Sequence, residues 1–260
     1  MKKKLFWKKK NVLITGVAGF VGSNLAKDLV ESGANVIGLT QNKKINSLLY
    51  FENIDKKINL ILGNITNKEL LKSIFLKYKI DICFHLAAQV EVGSALKYPY
   101  LTWETNIRGT YTLLEAIRES DKKVKSIIVA SSDKAYGNYP LNSLPYKENY
   151  PLKPNFPYDT SKACADMIAK SYSSKLFNLP ILITRFANIY GPGQLNFTAL
   201  IPDVVKSCLM KKKFQMRSDG EAIRDFIYVK DIIELYKLLA KNLYLSPKNT
   251  QEKFLMLVQM

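Results

Sequence analysis

Short apolar runs alternate along the chain with longer segments whose apolar residues recur at helical spacing. The short runs predict strands at residues 11–15, 35–39, 60–62, 81–86, 126–130 and 181–186. The longer segments predict helices at residues 23–30, 68–79, 102–120 and 158–177. This alternation predicts an α/β fold built on a doubly wound parallel sheet, with ligands bound at the carboxyl ends of the strands.

Three glycines follow the first predicted strand directly. Small residues let the backbone approach a pyrophosphate, and the start of the next helix offers unpaired N–H groups to an anion. An ordinary glycine-rich turn is the alternative, but the order of strand, glycines and helix favours a dinucleotide-binding loop in a Rossmann-like domain. The loop residues expected to contact the cofactor are Gly16, Gly19, Phe20, Val21 and Gly22.

The second predicted strand is not followed by the acidic residue that would bind the adenosine ribose. The chain continues instead with Thr40, Gln41, Asn42, Lys43 and Lys44. Without a carboxylate a preference for NAD over NADP is not enforced, since either lysine can pair with a 2′-phosphate or point into solvent. We predict NAD as the cofactor and leave NADP open.

Tyr158 and Lys162 stand four positions apart, so they share one face of a predicted helix. A phenol titrates near ~10 in water, and we expect the Lys162 ammonium to stabilise the phenolate and lower the pKa of Tyr158. A hydroxyl from Ser132, just after the fifth predicted strand, can bind the same substrate oxygen. This set is suited to removing a proton from an alcohol while a cofactor accepts the hydride, although a Tyr–Lys pair at this spacing also occurs by chance on helix surfaces.

The net charge of +17 raises nucleic-acid binding as a second class of function. The basic residues are spread along the chain, however, and the clusters 8–10 and 211–213 lack interleaved aromatic residues. We therefore predict no nucleic-acid partner and interpret the charge as a solvated surface that attracts a small anionic substrate.

Residue counts argue against several other classes. No apolar run is long enough to span a bilayer, so we expect no membrane association. The apolar stretch within residues 1–10 is too short for a signal peptide. Three scattered cysteines predict free thiols in a reducing cytoplasm, and with a single histidine we expect no metal site.

Further features flank the predicted catalytic residues. The segment 138–157 contains five prolines and predicts a long irregular loop, placed where a substrate lid would lie. His85 ends the fourth predicted strand, where a structural polar role beside the cofactor is favoured over catalysis. Asn106 either orients a backbone group or a water near Tyr158, or lies on the helix surface.

Seven motifs together make the chain resemble the extended short-chain dehydrogenases/reductases, specifically their nucleotide-sugar epimerases and dehydratases. The motifs occupy residues 16–22, 85–88, 106–110, 131–132, 158–162, 185–191 and 224–229. The resemblance runs from residue 11 to about residue 243. It implies a nucleotide-sugar substrate, bound NAD or NADP, and a homodimer formed through the helices that match 102–120 and 158–177.

The pair Asp133 and Lys134 resembles CDP-glucose 4,6-dehydratases most closely, as do residues 6–7 and 195–197. The implied reaction converts an NDP-hexose to an NDP-4-keto-6-deoxyhexose, with a CDP-glucose-like substrate favoured. Protonated Asp133 would then give a proton to the departing 6-hydroxyl, and neutral Lys134 would take the C5 proton. An ion pair at the strand end is the alternative interpretation of these two residues.

The resemblance also implies contacts for residues elsewhere in the chain. The catalytic set would be Ser132, Asp133, Lys134, Tyr158 and Lys162. Tyr158 and Lys162 would also contact the cofactor, together with Asn64, Ile65, Leu86, Ala87, Ala88 and Asn106. The substrate would be bound by Asn188, Asn196 and Arg224. A 4-epimerase on the same fold and an inactive dinucleotide-binding homologue are the alternative functions.

We expect a dinucleotide-binding Rossmann domain at residues 1–187 and a partial substrate-binding lobe at 188–260, truncated at its carboxyl end. Related proteins continue near residue 250 with the strand Gly-Glu-Ile-Phe-Asn-Ala-Gly-Ser-Asn. Synonymous codons for residues 251–260 can spell that strand in another reading frame, which suggests the hypothesis that the frame slipped near Thr250. Downstream DNA should then encode the rest of the lobe, and DNA without such coding potential would contradict the hypothesis.

Overall fold

A parallel sheet forms the centre of the molecule, which a computed structural model describes over residues 2–43, 46–216, 219–221, 223–247 and 255–257. The strand order is β3-β2-β1-β4-β5-β6-β9, so the direction of winding reverses between β1 and β4, as predicted for a doubly wound sheet. The strands of this sheet are β1 Asn11–Thr15, β2 Asn35–Thr40, β3 Asn59–Leu62, β4 Ile82–His85, β5 Ser126–Ala130, β6 Ile181–Phe186 and β9 Leu255–Leu257.

Helices cover both faces of the sheet. They are α1 Lys2–Trp7, α2 Phe20–Glu31, α3 Leu48–Phe51, α4 Lys68–Tyr78, α5 Val92–Lys97, α6 Pro99–Trp103, α7 Gly109–Arg118, α8 Pro157–Ser173, α9 Leu200–Leu209 and α10 Val229–Leu245. The helix predicted at 102–120 is divided, because a π-helical turn at Glu104–Arg108 separates α6 from α7. None of the helices in the described ranges has the length and apolar character needed to cross a bilayer.

The core consists of two apolar layers, one on each face of the sheet. Successive side chains of a strand point to opposite faces, so Val12 of β1 packs with α2 and α10 while Leu13 packs with α4 and α7. Both residues are completely buried. The strands are mainly apolar because a parallel sheet covered by helices has no solvent-facing side.

The carboxyl-terminal part of the chain adds a second, smaller sheet. Strands β7 Asn188–Tyr190 and β8 Phe226–Tyr228 pair in parallel, and α10 then returns to the main core beside Trp7. The division of the chain at residue 187 therefore stays a prediction. The frame-slip hypothesis for residues 251–260 concerns a segment of which only the backbone of 255–257 lies within the described residues.

Candidate active site

A cleft of about 1040 Å³ opens at the carboxyl edge of the sheet, where the loops after the strands converge. Every residue predicted to act in catalysis or to bind the substrate lines it, and so does every predicted cofactor contact except Asn106. The residues that line the cleft as predicted are Gly16, Gly19, Phe20, Val21, Gly22, Asn64, Ile65, Leu86, Ala87, Ala88, Ser132, Asp133, Lys134, Tyr158, Lys162, Asn188, Asn196 and Arg224. The fold thus brings together segments that are distant in the sequence, while the individual roles stay predictions.

The glycine loop has the geometry of a phosphate cradle. Gly16 adopts φ +73°, and a Cβ there would lie 2.8 Å from the backbone of Ala87. A Cβ on Gly22 would lie 2.3 Å from the carbonyl oxygen of Gly16. Gly19 caps α2 without any side-chain hydrogen bond, so the first N–H groups of the helix are left for an anion. The loop therefore fits the pyrophosphate of a dinucleotide.

His85 is a structural residue held in one tautomer. The Thr15 hydroxyl accepts the N–H groups of Leu86 and Ala87 at 3.2 Å each, so its proton points to His85 Nδ1 at 2.8 Å. His85 Nε2 consequently carries the ring proton and donates to Thr110 Oγ1 at 3.0 Å. Burial, followed by the positive charge of Lys162, lowers the pKa of His85 to about 3. The neutral ring fixes the backbone that faces the glycine loop.

Asn106 lies below the surface of the cleft, and its contact with the cofactor stays a prediction. It belongs to the π-helical turn and is 2% exposed. Its amide accepts from Gln89 N at 2.7 Å and donates to Gln89 O at 3.0 Å and to Ser161 Oγ at 2.8 Å. Ser161 in turn donates to the carbonyl oxygen of Tyr158 at 2.7 Å. Asn106 therefore positions the helix that carries Tyr158.

The protonation equilibria of Tyr158 and Lys162 are dominated by burial. Burial raises the pKa of Tyr158 to about 12, although an interaction with the Ser132 hydroxyl opposes the shift. Burial lowers the pKa of Lys162 to about 8, against the effect of Asp166. The pKa of Tyr158 thus moves opposite to the predicted direction. Lys162 Nζ donates to the carbonyl oxygen of Ala130, and the nearby charges of Asp133 and Asp159 also raise the pKa of Tyr158.

Ser132 organises the turn after β5. Its hydroxyl accepts from Lys134 N at 3.2 Å and donates to Asp133 Oδ1 at 2.9 Å. Burial raises the pKa of Asp133, while Ser132 and the charge of Lys134 act in the opposite direction. Within the described part of the chain, Asp133 and Lys134 form no ion pair with each other. The alternative interpretation as a strand-end ion pair is therefore not supported. Because its pKa is raised, the Asp133 carboxyl keeps its proton to a higher pH than an exposed aspartate does, as a proton donor requires.

A buried ion pair behind the cleft was not identified from the sequence. Arg185 on β6 donates to both carboxylate oxygens of Asp166 on α8, at 2.7 and 3.0 Å. Arg185 Nη1 donates to Tyr136 Oη at 2.6 Å and to the carbonyl oxygen of Glu148 at 3.1 Å. Tyr136 ends the turn that starts at Asp133. The pair therefore connects β6, α8 and the catalytic turn, through residues separated by 19 to 49 positions.

The proline-rich loop is irregular as predicted, but it does not act as a lid in this structure. No residue of the described segment 138–157 lines the cleft. Tyrosine hydroxyls hold the loop against itself and its surroundings: Tyr139 donates to Pro151 O at 2.8 Å and Tyr146 to Gly137 O at 2.8 Å. Tyr139 also stacks on Tyr150, with ring centroids 5.1 Å apart. These contacts keep the loop beside the Arg185 network rather than over the cleft.

The predicted substrate residues are exposed and lie at the second side of the cleft, at the start of β7 and on two loops. Asn188 donates to Asp225 O at 3.1 Å, and Asn196 accepts from Thr198 at 2.6 Å. Arg224 is exposed and forms no ion pair with the residues that the structure describes, so its guanidinium is available to a phosphate. Sequence reasoning missed further residues that line this side, because their types carry no signal at isolated positions: Tyr190, Gln194, Phe214 and Phe226.

Curated proteins similar to the chain are mainly nucleotide-sugar dehydratases. The dTDP-D-glucose 4,6-dehydratase of Dictyostelium discoideum is 37% identical over 249 residues, which cover 89% of this chain and 56% of that protein. The CDP-glucose 4,6-dehydratase of Salmonella typhimurium is 31% identical over 250 residues, with 93% and 69% covered. The chain thus spans little more than half of the length of the first of these relatives.

Solved structures give the same fold. A dTDP-glucose 4,6-dehydratase from Bacillus anthracis in complex with NAD matches with a TM-score of 0.78 and 31% identity, covering 89% of this chain and 71% of that chain. A UDP-glucose 4-epimerase from Thermotoga maritima with UDP-glucose matches with a TM-score of 0.79 and 30% identity, covering 88% and 72%. The fold is therefore common to dehydratases and epimerases.

The family model described as GDP-mannose 4,6 dehydratase matches residues 13–251, from the first strand through the catalytic helix and beyond α10. The resemblance inferred from the motifs is thereby confirmed. Sequence, fold and the arrangement of the cleft agree, and the chain belongs to the GDP-mannose 4,6-dehydratase family of extended short-chain dehydrogenases/reductases.

Proposed function

We propose that the protein is an NAD-dependent nucleotide-sugar 4,6-dehydratase that converts an NDP-hexose to an NDP-4-keto-6-deoxyhexose. One observation carries the proposal: the Ser132 hydroxyl donates to the Asp133 carboxyl at 2.9 Å inside the cleft that Tyr158 also lines. A 4-epimerase needs an acid–base group only at the C4 oxygen, whereas a dehydratase needs a second acid for the departing 6-hydroxyl. Asp133 supplies that second acid.

The cofactor proposed for this site is NAD, which the related Bacillus anthracis structure contains. The pyrophosphate would lie on Gly16, Gly19 and Gly22, where the absence of side chains leaves room. When bound, NAD supplies a temporary acceptor for the hydride that leaves C4 and is later returned to C6. The net reaction is redox-neutral, since C4 is oxidised, C6 is reduced and water is released.

The side chains manage the protons of this reaction. Tyr158 takes the proton of the 4-hydroxyl, for which its phenol must first ionise against the effect of burial, while Ser132 holds the same oxygen. The new ketone acidifies C5–H, and Lys134 in its neutral form takes that proton. Asp133 gives its proton to the departing 6-hydroxyl, which leaves as water. Lys134 finally returns its proton to C5.

Ser132 can restore the starting protonation states of Tyr158 and Asp133 after each turnover. At the end of one turnover Tyr158 has gained a proton and Asp133 has lost one. The Ser132 hydroxyl donates to Asp133 Oδ1 at 2.9 Å and also interacts with the Tyr158 phenol. A hydroxyl both donates and accepts, so it can pass the proton from Tyr158 to Asp133. The position of the hydroxyl supports the proposal that Tyr158, Ser132 and Asp133 act in the same catalytic cycle.

The substrate proposal is a nucleoside-diphosphate glucose, with the CDP form favoured by the Asp133–Lys134 pair. Residues 188–260 would form the substrate lobe beside the 1–187 domain. Arg224 would bind the diphosphate there, because a guanidinium matches phosphate geometry. Asn188 and Asn196 would contribute neutral hydrogen bonds from the loops that line the same side.

The proposal also includes a homodimer in the cytoplasm. Apolar side chains of α6 and α7 and of α8 are exposed, among them Tyr100 at 67% and Met167 at 62%, and a second copy would cover them. Cys83, Cys164 and Cys208 are free thiols, which supports a reducing compartment. Light scattering on the purified protein tests the dimer directly.

The proposed reaction is tested by incubating the protein and NAD with CDP-, dTDP- and UDP-glucose in deuterated water. We expect a product lighter by one water, detected by mass spectrometry. Asp133→Asn should still exchange C5–H for deuterium but release no water, because C4 oxidation survives and the acid is lost. Asp159→Asn is the matched control, since Asp159 is also buried with a raised pKa but does not line the cleft.

Two results would reject the dehydratase function. Interconversion of 4-epimers without loss of water would identify an epimerase. Binding of NAD without conversion of any of the three sugars would identify a dinucleotide-binding homologue without this activity.

A further inference from the structure

The turn that carries Asp133 is anchored at its far end by Tyr136. The turn is a single 3₁₀ helix, Asp133–Tyr136, so Tyr136 lies one turn after Asp133. The Tyr136 side chain is completely buried, whereas Asp133 lines the cleft. Two groups pack on the Tyr136 ring: the Arg185 guanidinium, 4.8 Å from the ring centroid, and the Tyr146 ring, stacked at 4.9 Å. The position of Asp133 therefore depends on what holds Tyr136.

The other end of the turn is held by the sheet. Ser131 N, directly after β5, donates to Thr184 O on β6 at 2.8 Å. The Ser132 hydroxyl thus starts from a backbone position that is fixed without Tyr136. The two residues that follow Ser132 lie between the two anchors. Loosening of the Tyr136 anchor should consequently displace their side chains more than the serine hydroxyl.

One guanidinium joins Tyr136 to the helix that carries the phenol. Arg185 on β6 is 6% exposed, and its Nη1 donates to Tyr136 Oη at 2.6 Å. Its Nε and Nη2 donate to the two carboxylate oxygens of Asp166 at 2.7 and 3.0 Å. Asp166 follows Lys162 by about one helical turn, as Lys162 follows Tyr158, so all three lie on the same side of α8. Arg185 therefore sets the distance between the catalytic turn and this side of α8.

The two sides of this connection serve different steps of the proposed reaction. Tyr158 and Lys162 on α8 serve the oxidation at C4, whereas Asp133 and Lys134 on the turn serve the elimination of water. One bound sugar has to meet both sides, with its C4 oxygen at the phenol and its 6-hydroxyl at the carboxyl. A displacement of about 1 Å in such a site can cost about a hundredfold in rate. The separation of the turn from α8 thus matters most for the elimination.

We infer that Arg185 and Tyr136 are positioning residues that align Asp133 and Lys134 with the sugar for the elimination step. The inference rests on the proposed function and divides its site into two parts, of which only the turn depends on this connection. Both positioning residues lie outside the lining of the cleft, so they act through the turn rather than by contact with the sugar.

Rapid mixing of the protein and NAD with the nucleoside-diphosphate glucose that the parent converts separates the two steps. The absorbance of the reduced cofactor reports the hydride transfer from C4, and mass spectrometry reports the loss of water. Tyr136→Phe keeps the ring and removes the oxygen that Arg185 holds. Its hydride transfer should stay within about twofold of the parent rate, while water loss slows at least about tenfold. The reduced cofactor should therefore accumulate in this variant and not in the parent.

Arg185→Lys tests the same connection from its other end. It keeps a positive charge beside Asp166 but replaces the planar fork by a single nitrogen, so it cannot reproduce the bonds to both Asp166 and Tyr136. The reduced cofactor should accumulate here as well. The matched control is Tyr172→Phe, which removes another tyrosine hydroxyl that donates to a charged side chain, Glu115, away from the cleft. Both of its rates should stay within about twofold of the parent.

A substitution that only weakens the fold lowers both rates together, because it reduces the number of active molecules. An equal decrease of the two rates in Tyr136→Phe and Arg185→Lys would therefore overturn the inference. Unchanged rates in both variants, or the same accumulation of reduced cofactor in Tyr172→Phe, would also overturn it.

The outcomes also separate this inference from the proposed function. If the parent releases water while Tyr136→Phe shows no difference between the two rates, the inference fails and the dehydratase function stands. If the parent releases no water from CDP-, dTDP- or UDP-glucose, both fail.

Discussion

Replacement of Arg185 by methionine should destabilise the protein more than any exposed ion pair does. The side chains of Arg185 and Asp166 are only 7% and 2% exposed, and two hydrogen bonds join them. Arg185→Met removes these bonds and those to Tyr136 and to Glu148 O, and it leaves the Asp166 carboxylate buried without its partner. Loss of one partner of such a pair costs about 3–5 kcal/mol in free energy of unfolding.

The cost should come mainly from the orphaned charge rather than from the lost attraction. A double variant, Arg185→Met with Asp166→Leu, removes both charges and fills similar volume. Replacing a whole buried pair by apolar residues is often close to neutral, so the double variant should be more stable than Arg185→Met by about 2 kcal/mol or more. The two substitutions are therefore expected to be strongly non-additive.

Urea unfolding monitored by circular dichroism measures these free energies. The matched control is Arg108→Met, which breaks a 2.9 Å pair with Glu104 whose side chains are 51% and 33% exposed. That substitution should cost less than about 1 kcal/mol. If Arg185→Met costs no more than Arg108→Met, or if the double variant loses the sum of its single costs, the reasoning about the buried pair is refuted.

Further predictions concern the cleft. Tyr158→Phe should abolish turnover while NAD still binds, since only the phenolic oxygen is lost; activity within a few-fold of the parent, measured by product formation, would remove Tyr158 from the chemistry. Gly16→Ala should cost about 1–3 kcal/mol in urea unfolding and lose NAD binding, because its Cβ meets the Ala87 backbone at positive φ. Gly93→Ala in α5 has open space around its Cβ and should be neutral or stabilising, so equal losses in both variants would contradict this account. The folded pKa of Lys162, about 8, lies below its ordinary 10.5. At Lys162 the unfolded chain therefore binds more protons between these values, so the stability of the parent relative to Lys162→Met should rise with pH from about 8 towards 10; equal pH profiles in the two proteins would contradict the assignment.

Local patterns were sufficient for the six predicted strands of the main sheet and for the cofactor loop. The predicted strand 126–130 is β5, and the predicted helix 68–79 ends as α4 one residue earlier. Such elements are readable because apolar periodicity reports which side chains must be buried. The glycine loop is equally local, since its glycines follow the strand that they serve.

Contacts between distant segments could not be predicted from apolar periodicity or local motifs. The π-helical turn that buries Asn106 interrupts a segment whose pattern indicates one continuous helix. The partners of Arg185 come from α8, the turn after β5 and the proline-rich loop. No spacing rule connects those positions, because their proximity follows from how the strands are ordered in the sheet.

The sequence by itself determined the class of fold, the family and many of the residues that line the cleft, because these depend on side-chain types at fixed local spacings. Only the tertiary structure decided the electrostatics. Burial raises the pKa of Tyr158 although a lysine lies one helical turn away. Desolvation depends on everything that surrounds a group, and that environment exists only after distant parts of the chain have packed together.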